Sequence, residues 1–218
     1  MNEYSKDLAK KYTQGRDEFK DADSRLFEFV QRAGITGKDV LDLGCGDGRY
    51  AAKFLEMGGK SARGIDISPA MIELAKERRK SIEFTIGDAT DLLYSNDSFD
   101  VVFSNFVLQH CKDSQKVFSE IARVLREGGY FIGTFNSIDT DNHGILNQEM
   151  PILLGQEDPI TVYDLMKLDE EYLDAIKEAG LEVIEYINEP NACAFVDPDF
   201  EYYSDINKLK TIACLLKK

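Results

Sequence analysis

At 218 residues the chain is long enough for one well-cored domain and too short for two of ordinary size. Hydrophobic content of 43% beside 30% charged residues excludes wholesale disorder. Its 26 basic against 40 acidic side chains give a formal charge of −14, which disfavours nucleic acid and anionic membranes as partners, since phosphate binding needs clustered Lys and Arg.

The opening Met1-Asn2-Glu3-Tyr4-Ser5-Lys6-Asp7 lacks the apolar core of a signal peptide. No run approaches the roughly 18 apolar residues of a membrane span. Cys45, Cys111, Cys193 and Cys214 form no CxxC pair, and two histidines are too few for a zinc set. The expectation is a cytoplasmic, reduced protein with no metal, in which Cys45 and Cys214 act as small buried fillers.

In chain order, residues 3–33 read as helical, with Leu8, Tyr12, Phe19, Leu26, Phe27 and Val30 as apolar contacts. Asp39–Leu43 reads as the first strand, followed by a helix over 48–57 that Gly58-Gly59 ends. Ala62–Ile67 is the second strand. Ser68-Pro69 then supplies a cap and an N1 proline for a helix over 70–80. Strands are predicted at 82–86 and 99–104, and a helix at 114–126 with Val117, Phe118, Ile121, Val124 and Leu125 at helical spacing. Gly128-Gly129 stops that helix before a strand over 130–135. Residues 137–168 break the rhythm as an irregular insert, after which come a helix over 169–179 and strands over 181–187 and 210–216.

Strands alternating with helices predict an α/β, Rossmann-like three-layer sandwich over residues 1–218 as a single domain. The two final strands have no helix between them and are predicted to pair antiparallel at one edge, giving a mostly parallel seven-stranded sheet with an antiparallel edge strand.

Val40-Leu41-Asp42-Leu43-Gly44-Cys45-Gly46-Asp47-Gly48 runs an apolar strand into a glycine-spaced turn, the device by which open α/β sheets hold a nucleoside cofactor. Asp66, 22 positions after Gly44, ends the second strand, where a carboxylate accepts from ribose hydroxyls. That placement suits NAD and S-adenosylmethionine alike. The turn discriminates better: its spacing is G-x-G-x-G, and Arg49 stands where the third glycine of a dinucleotide turn belongs.

The segment 42–48 resembles motif I of the class I S-adenosylmethionine-dependent methyltransferases. Gly64-Ile65-Asp66-Ile67-Ser68 is similar to that family's ribose motif and Gly87-Asp88-Ala89 to its adenine segment. Phe99-Asp100-Val101-Val102-Phe103-Ser104-Asn105 resembles its fourth strand, and Arg123-Val124-Leu125-Arg126-Glu127-Gly128-Gly129 its R-V-L-K-P-G-G helix stop, with Glu127 in place of proline. The five segments cover about residues 38–136 in order, and the branch they most resemble is the small-molecule methyltransferases of the UbiE and Methyltransf_11 type.

The resemblance implies roles. Gly44, Cys45 and Gly46 would cradle the methionine part of S-adenosyl-L-methionine, with Asp42 reaching its amino group. Asp66 would take the ribose hydroxyls, Ile67 would cover the adenine, and Asp88 and Ala89 would read its edge. Ser104 and Asn105 would lie by the transferred methyl. Tyr12 and Arg16, from N-terminal lid helices over 1–35, are candidate contacts to the cofactor carboxylate. Methyl transfer from a sulfonium requires alignment first, and a base only if the acceptor must lose a proton. His110 is the candidate for that base, and Asn105 the second candidate catalytic residue. The insert over 137–168 is expected to bind a small-molecule acceptor. An NAD-dependent oxidoreductase and a catalytically silent cofactor-binding module stay open beside this reading.

Overall fold

The computed structural model describes residues 5–17, 24–138, 149–154, 160–165, 167–190 and 209–218. Within the helical stretch expected over 3–33 the described residues form α1 (Lys6–Asp17) and α2 (Ser24–Ala33). The alternating part follows: β1 (Asp39–Leu43), α3 (Arg49–Glu56), β2 (Ser61–Asp66), α4 (Pro69–Arg78), β3 (Glu83–Ile86) and β4 (Phe99–Asn105). A single 3-10 turn, Leu108–His110, leads to α5 (Ser114–Val124) and β5 (Leu125–Ile138). Then come β6 (Glu149–Leu154), β7 (Ile160–Leu165), α6 (Asp169–Glu178), β8 (Glu182–Pro190) and β9 (Leu209–Lys217).

Seven strands form one sheet in the order β3-β2-β1-β4-β5-β9-β8. Pairing is parallel from β3 to β5, with Val40 facing Ala62 on one side and Val101 on the other. The antiparallel pairing expected at the edge is made by β9, which runs against both β5 and β8. Strand β5 is longer at both ends than the expected 130–135: β9 pairs with it as far as Ile138, and Leu125 at its start pairs with Phe99 of β4.

Side chains alternate across the sheet, and two cores result. Leu41, Leu43, Val102, Phe131 and Phe135 pack against α5 and α6 through Phe118, Ile121, Tyr172 and Ile176. Val40, Val101, Phe103 and Ile132 pack on the other face against α2, α3 and α4 through Phe29, Phe54 and Ile72. Phe103, fully buried, meets Phe54 edge-on at 4.9 Å, and burying such a ring contributes about 1.5–3 kcal/mol. Cys45 and Cys214 are buried free thiols, and Cys193 lies outside the described residues.

Local chemistry sets the helix starts. Ser68 caps α4 by accepting from the Met71 N–H, with Pro69 at N1, and Asp113 caps α5 by accepting from the Lys116 N–H at 2.9 Å. The insert is not wholly irregular: β6 and β7 form an antiparallel hairpin of their own, with Met150 opposite Asp164 and Ile152 opposite Val162. Pro151 lies within β6, and an isolated two-stranded ribbon leaves edge positions at which proline forfeits no ladder bond. The hairpin lies beside α1, and β7 runs beside the 3-10 turn. No helix among the described residues is long and apolar enough to cross a membrane.

Candidate active site

The C-terminal ends of β1, β2 and β4 open into a cavity of about 500 Å3, within the range for small ligands. It lies where the chain leaves β1 towards one face of the sheet and β4 towards the other, the crevice in which open α/β sheets take ligands.

The glycine turn forms its floor. The N–H groups of Gly44 and Cys45 both donate to the Ile65 carbonyl, at 2.7 and 3.0 Å, tying the turn to β2. Gly46 donates to Asp66 Oδ2 at 2.9 Å; it has φ 52°, and a Cβ there would meet nothing within 4 Å. Gly48 differs. It is the left-handed N-cap of α3 with φ 78°, and a Cβ would fall 2.4 Å from Phe84 Cζ. The close helix-on-strand contact is therefore made at position 48, one residue before a dinucleotide turn would make it, and Arg49 is free of that constraint.

Asp47, for which the sequence suggested no role, is 6% exposed and holds the turn to the end of α4 by an ion pair with Arg78 at 2.7 Å. Arg79 lies 3.7 Å and Arg49 Nε 3.5 Å from the same carboxylate. Arg49 also donates to the Thr13 carbonyl at 3.4 Å, linking α1 to the turn. The only hint in the sequence was that a carboxylate inside a glycine turn needs partners if it is buried.

Asp42 is 1% exposed, and its Oδ2 accepts from the Ala51 N–H of α3 at 3.0 Å. Burial pushes its carboxyl up to about 8, opposed by that N–H and reinforced by the charges of Asp66 and Asp47. Asp66 accepts from Gly46 through one oxygen and from the Ser68 N–H through the other, each at 2.9 Å. Burial raises its carboxyl too, while those N–H groups work the other way. The Ile67 N–H acts on it in the same sense, so the roughly four lone-pair sites of this carboxylate are largely but not wholly taken by the backbone. Among the described residues neither Asp42 nor Asp66 has an ion-pair partner. Burial, and then the charges of Asp42 and Asp66, push the Cys45 thiol well above its ordinary range, which leaves it unreactive.

Along the wall past β2, Ile67 is 42% exposed and lines the cavity with Asp88 and Ala89. Asp88 Oδ1 accepts from the N–H and the hydroxyl of Thr90, at 2.8 and 2.9 Å, which fixes the loop after β3.

Beyond β4 the Asn105 amide is oriented from two elements. Its Nδ2 donates to Tyr50 Oη on α3 at 2.7 Å, and the Thr134 hydroxyl of β5 donates to its Oδ1. Phe106 follows with φ 57°, a left-handed backbone that costs a non-glycine residue about 1–2 kcal/mol, held by its N–H donating to the Thr134 carbonyl at 2.8 Å. His110 is exposed on the 3-10 turn and lines the cavity mouth. Tyr12 and Thr13 of α1 and Leu165 of β7 line it too. Ser104 does not line the cavity. It is fully buried, and its hydroxyl finds no hydrogen-bond partner among the described residues. Arg16 belongs to α1, but its side chain lies outside the described part.

A glycine turn after β1, an acid ending β2, an acid after β3 and a reversed β9 within the sheet define a class I methyltransferase fold. A family model described as a methyltransferase domain matches residues 41–133, the segment that carries Asp42, Asp66, Asp88, Asn105 and His110. The match spans less than half of the chain, and over that part the chain is similar to the Methyltransf_11 methyltransferase domain.

Among curated relatives, the chain is 39% identical over 119 residues to the demethylmenaquinone methyltransferase of Lactococcus lactis subsp. lactis, covering 51% of this chain and 47% of that protein. It is 37% identical over 99 residues to the methyltransferase GfsG of Streptomyces halstedii, covering 43% of this chain and 36% of that one. The matching part thus spans less than half of either relative. Among solved structures, the [4+2]-cyclase SpnF superposes with a TM-score of 0.72 at 18% identity, over 90% of this chain and 80% of its own. A geranyl diphosphate methyltransferase in complex with SAM does so at 0.70 and 15% identity, over 89% and 84%. These two likenesses are of fold alone.

Proposed function

We propose that this chain transfers the sulfonium methyl group of S-adenosylmethionine to a small-molecule acceptor and releases S-adenosylhomocysteine. The carrying observation is one cavity that joins the paired buried carboxylates Asp42 and Asp66, without ion-pair partners among the described residues, to a mouth lined by Asn105 and His110. A buried carboxylate lacking a counter-ion fits a ligand that brings cationic and hydroxyl donors of its own. In this reading Asp42 faces the cofactor's ammonium, and Gly44, Cys45 and Gly46 hold the methionine part. Asp66 accepts from the ribose diol, Ile67 covers the adenine, and Asp88 with the Ala89 main chain reads its edge. Tyr12 and Arg16 reach the cofactor carboxylate from α1, which acts as a lid.

When bound, the cofactor supplies an electrophilic methyl carbon: the acceptor's lone pair forms the new bond as the carbon–sulfur bond breaks and its electrons return to sulfur. The chain's part is alignment in a site closed to water, for which about 7–11 kcal/mol is available from positioning. Asn105, its amide fixed by Tyr50 and Thr134, orients the acceptor at the methyl end. His110 takes the acceptor's proton where one must leave. The insert over 137–168, with its β6–β7 hairpin beside the mouth, closes over the acceptor.

Calorimetry tests the donor. S-adenosylhomocysteine should bind and NADH should not, and binding of NADH alone would replace this reading with an oxidoreductase. Asp66→Ala should weaken S-adenosylhomocysteine by about 1.5–3 kcal/mol for each charge-assisted bond lost. Unchanged affinity would remove Asp66 from the ribose site. The likeness to a cyclase favours one second reading, a domain that binds the cofactor without transferring its methyl group. It predicts binding of S-adenosylhomocysteine with no turnover across a broad acceptor panel.

A further inference from the structure

The cavity wall is divided by charge. Asp42, Asp47, Asp66 and Asp88 line the side built by β1, β2 and β3. The segment between the 3-10 turn and the first turn of α5 contributes Lys112 and Lys116 to the same lining, beside His110. Neither lysine makes an ion pair among the described residues. Glu120, one turn beyond Lys116, is engaged by Arg123 at 2.7 Å. The one carboxylate on this side, the exposed Asp113, spends Oδ1 on the Lys116 N–H.

A third ammonium stands behind this wall. Lys167, just past the hairpin, is 2% exposed. It donates to the Cys111 carbonyl and to Ser114 Oγ, the latter at 2.9 Å, and lies over the Tyr172 ring at 5.4 Å. No carboxylate of the described residues comes within ion-pair distance of it. Burial works against its charge, and Glu171 and Asp113 act on it from beyond ion-pair distance. Lys112, Lys116 and Lys167 against Asp113 and Glu171 still leave this stretch locally positive in a chain of net charge −14. General surface attraction cannot bring an anion here, because the whole molecule repels one; a local complementary patch is required.

We propose that the acceptor carries an anionic group, a carboxylate or a phosphate monoester, which Lys112 and Lys116 hold at the cavity mouth with the charge of Lys167 behind them. The inference rests on the methyl-transfer reading above and names the substrate class of that site. An acceptor anchored there by its anion points its other end inwards, towards Asn105 and the methyl carbon. The aspartates of β1, β2 and the loop after β3 reject the anion from the cofactor's part of the cavity, which helps to keep donor and acceptor apart.

The test is calorimetry on the full chain saturated with S-adenosylhomocysteine, using benzoate, phenyl phosphate and benzyl alcohol as probes. At least one anion should bind about tenfold or more tighter than the neutral alcohol, and which one does identifies the anionic group. The Lys112→Gln/Lys116→Gln double variant should lose that margin, while Lys177→Gln, on the exposed face of α6, should keep it. Equal binding of the three probes, or a margin that survives the double variant, overturns the proposal. Failure of S-adenosylhomocysteine to bind would instead refute the methyl-transfer reading, and the same titrations without it would still report on the lysines.

Discussion

Asp42 shows what a single buried carboxylate does to the molecule. Its folded-state carboxyl is raised from 3.8 to about 8, so the folded chain holds a proton that the unfolded chain releases. The stability this group contributes is fully present below about pH 4 and is lost as pH rises towards 8. Asp42→Asn, which cannot ionise, should flatten the fall in melting temperature between pH 5 and 8; an unchanged slope would mean that other groups set it. The position of Asp66 at the end of β2 was legible from sequence, whereas Asp88 was singled out only by the resemblance of Gly87-Asp88-Ala89 to a family segment. Asn105 was legible in place but not in company. Tyr50 and Thr134, which orient it, lie 55 and 29 positions away; the β4–β5 register brings in Thr134, and the packing of α3 on the sheet brings in Tyr50.

Among elements, the glycine turn separates two duties that the sequence presents as one repeat. At Gly46 an added methyl group meets open cavity, so Gly46→Ala should cost only the left-handed backbone, about 1–2 kcal/mol, while obstructing the cofactor. At Gly48 the same change adds overpacking on Phe84, typically about 1–3 kcal/mol more, without entering the cavity from that side. Melting temperature should therefore fall further in Gly48→Ala, and calorimetric affinity further in Gly46→Ala. The reverse order would show that the turn is one rigid unit. Strand β1 and the start of α4 were readable to the residue or nearly so, because β1 is a short apolar run stopped by glycine and Ser68-Pro69 is a complete local start signal. The β6–β7 hairpin was not, since its signal is pairing across a turn and its own strand carries Pro151.

For the whole molecule, the charge of −14 sets a baseline of self-repulsion. Raising salt from about 0.01 to 0.15 M shortens the screening length from about 30 to 8 Å. The melting temperature should rise by a few degrees as a result, about 2–4 °C for each kcal/mol gained. A fall would mean that local pairs such as Asp47–Arg78 outweigh the net repulsion. Three layers and a mostly parallel sheet were evident from the alternation of elements, because each crossover helix announces the next parallel strand.

The position of β9 has a consequence for how the fold is reached. It occupies an interior slot, hydrogen-bonded to β5 along one side and β8 along the other, although both precede it in the chain. While the ribosome is still making residues 209–217, β8 has no partner in the sheet and one flank of β5 is unpaired. The nucleus of the domain can condense early around β1 and β4, but the sheet closes only with its last strand, and the interval between those events is when the unpaired edges are exposed to other chains.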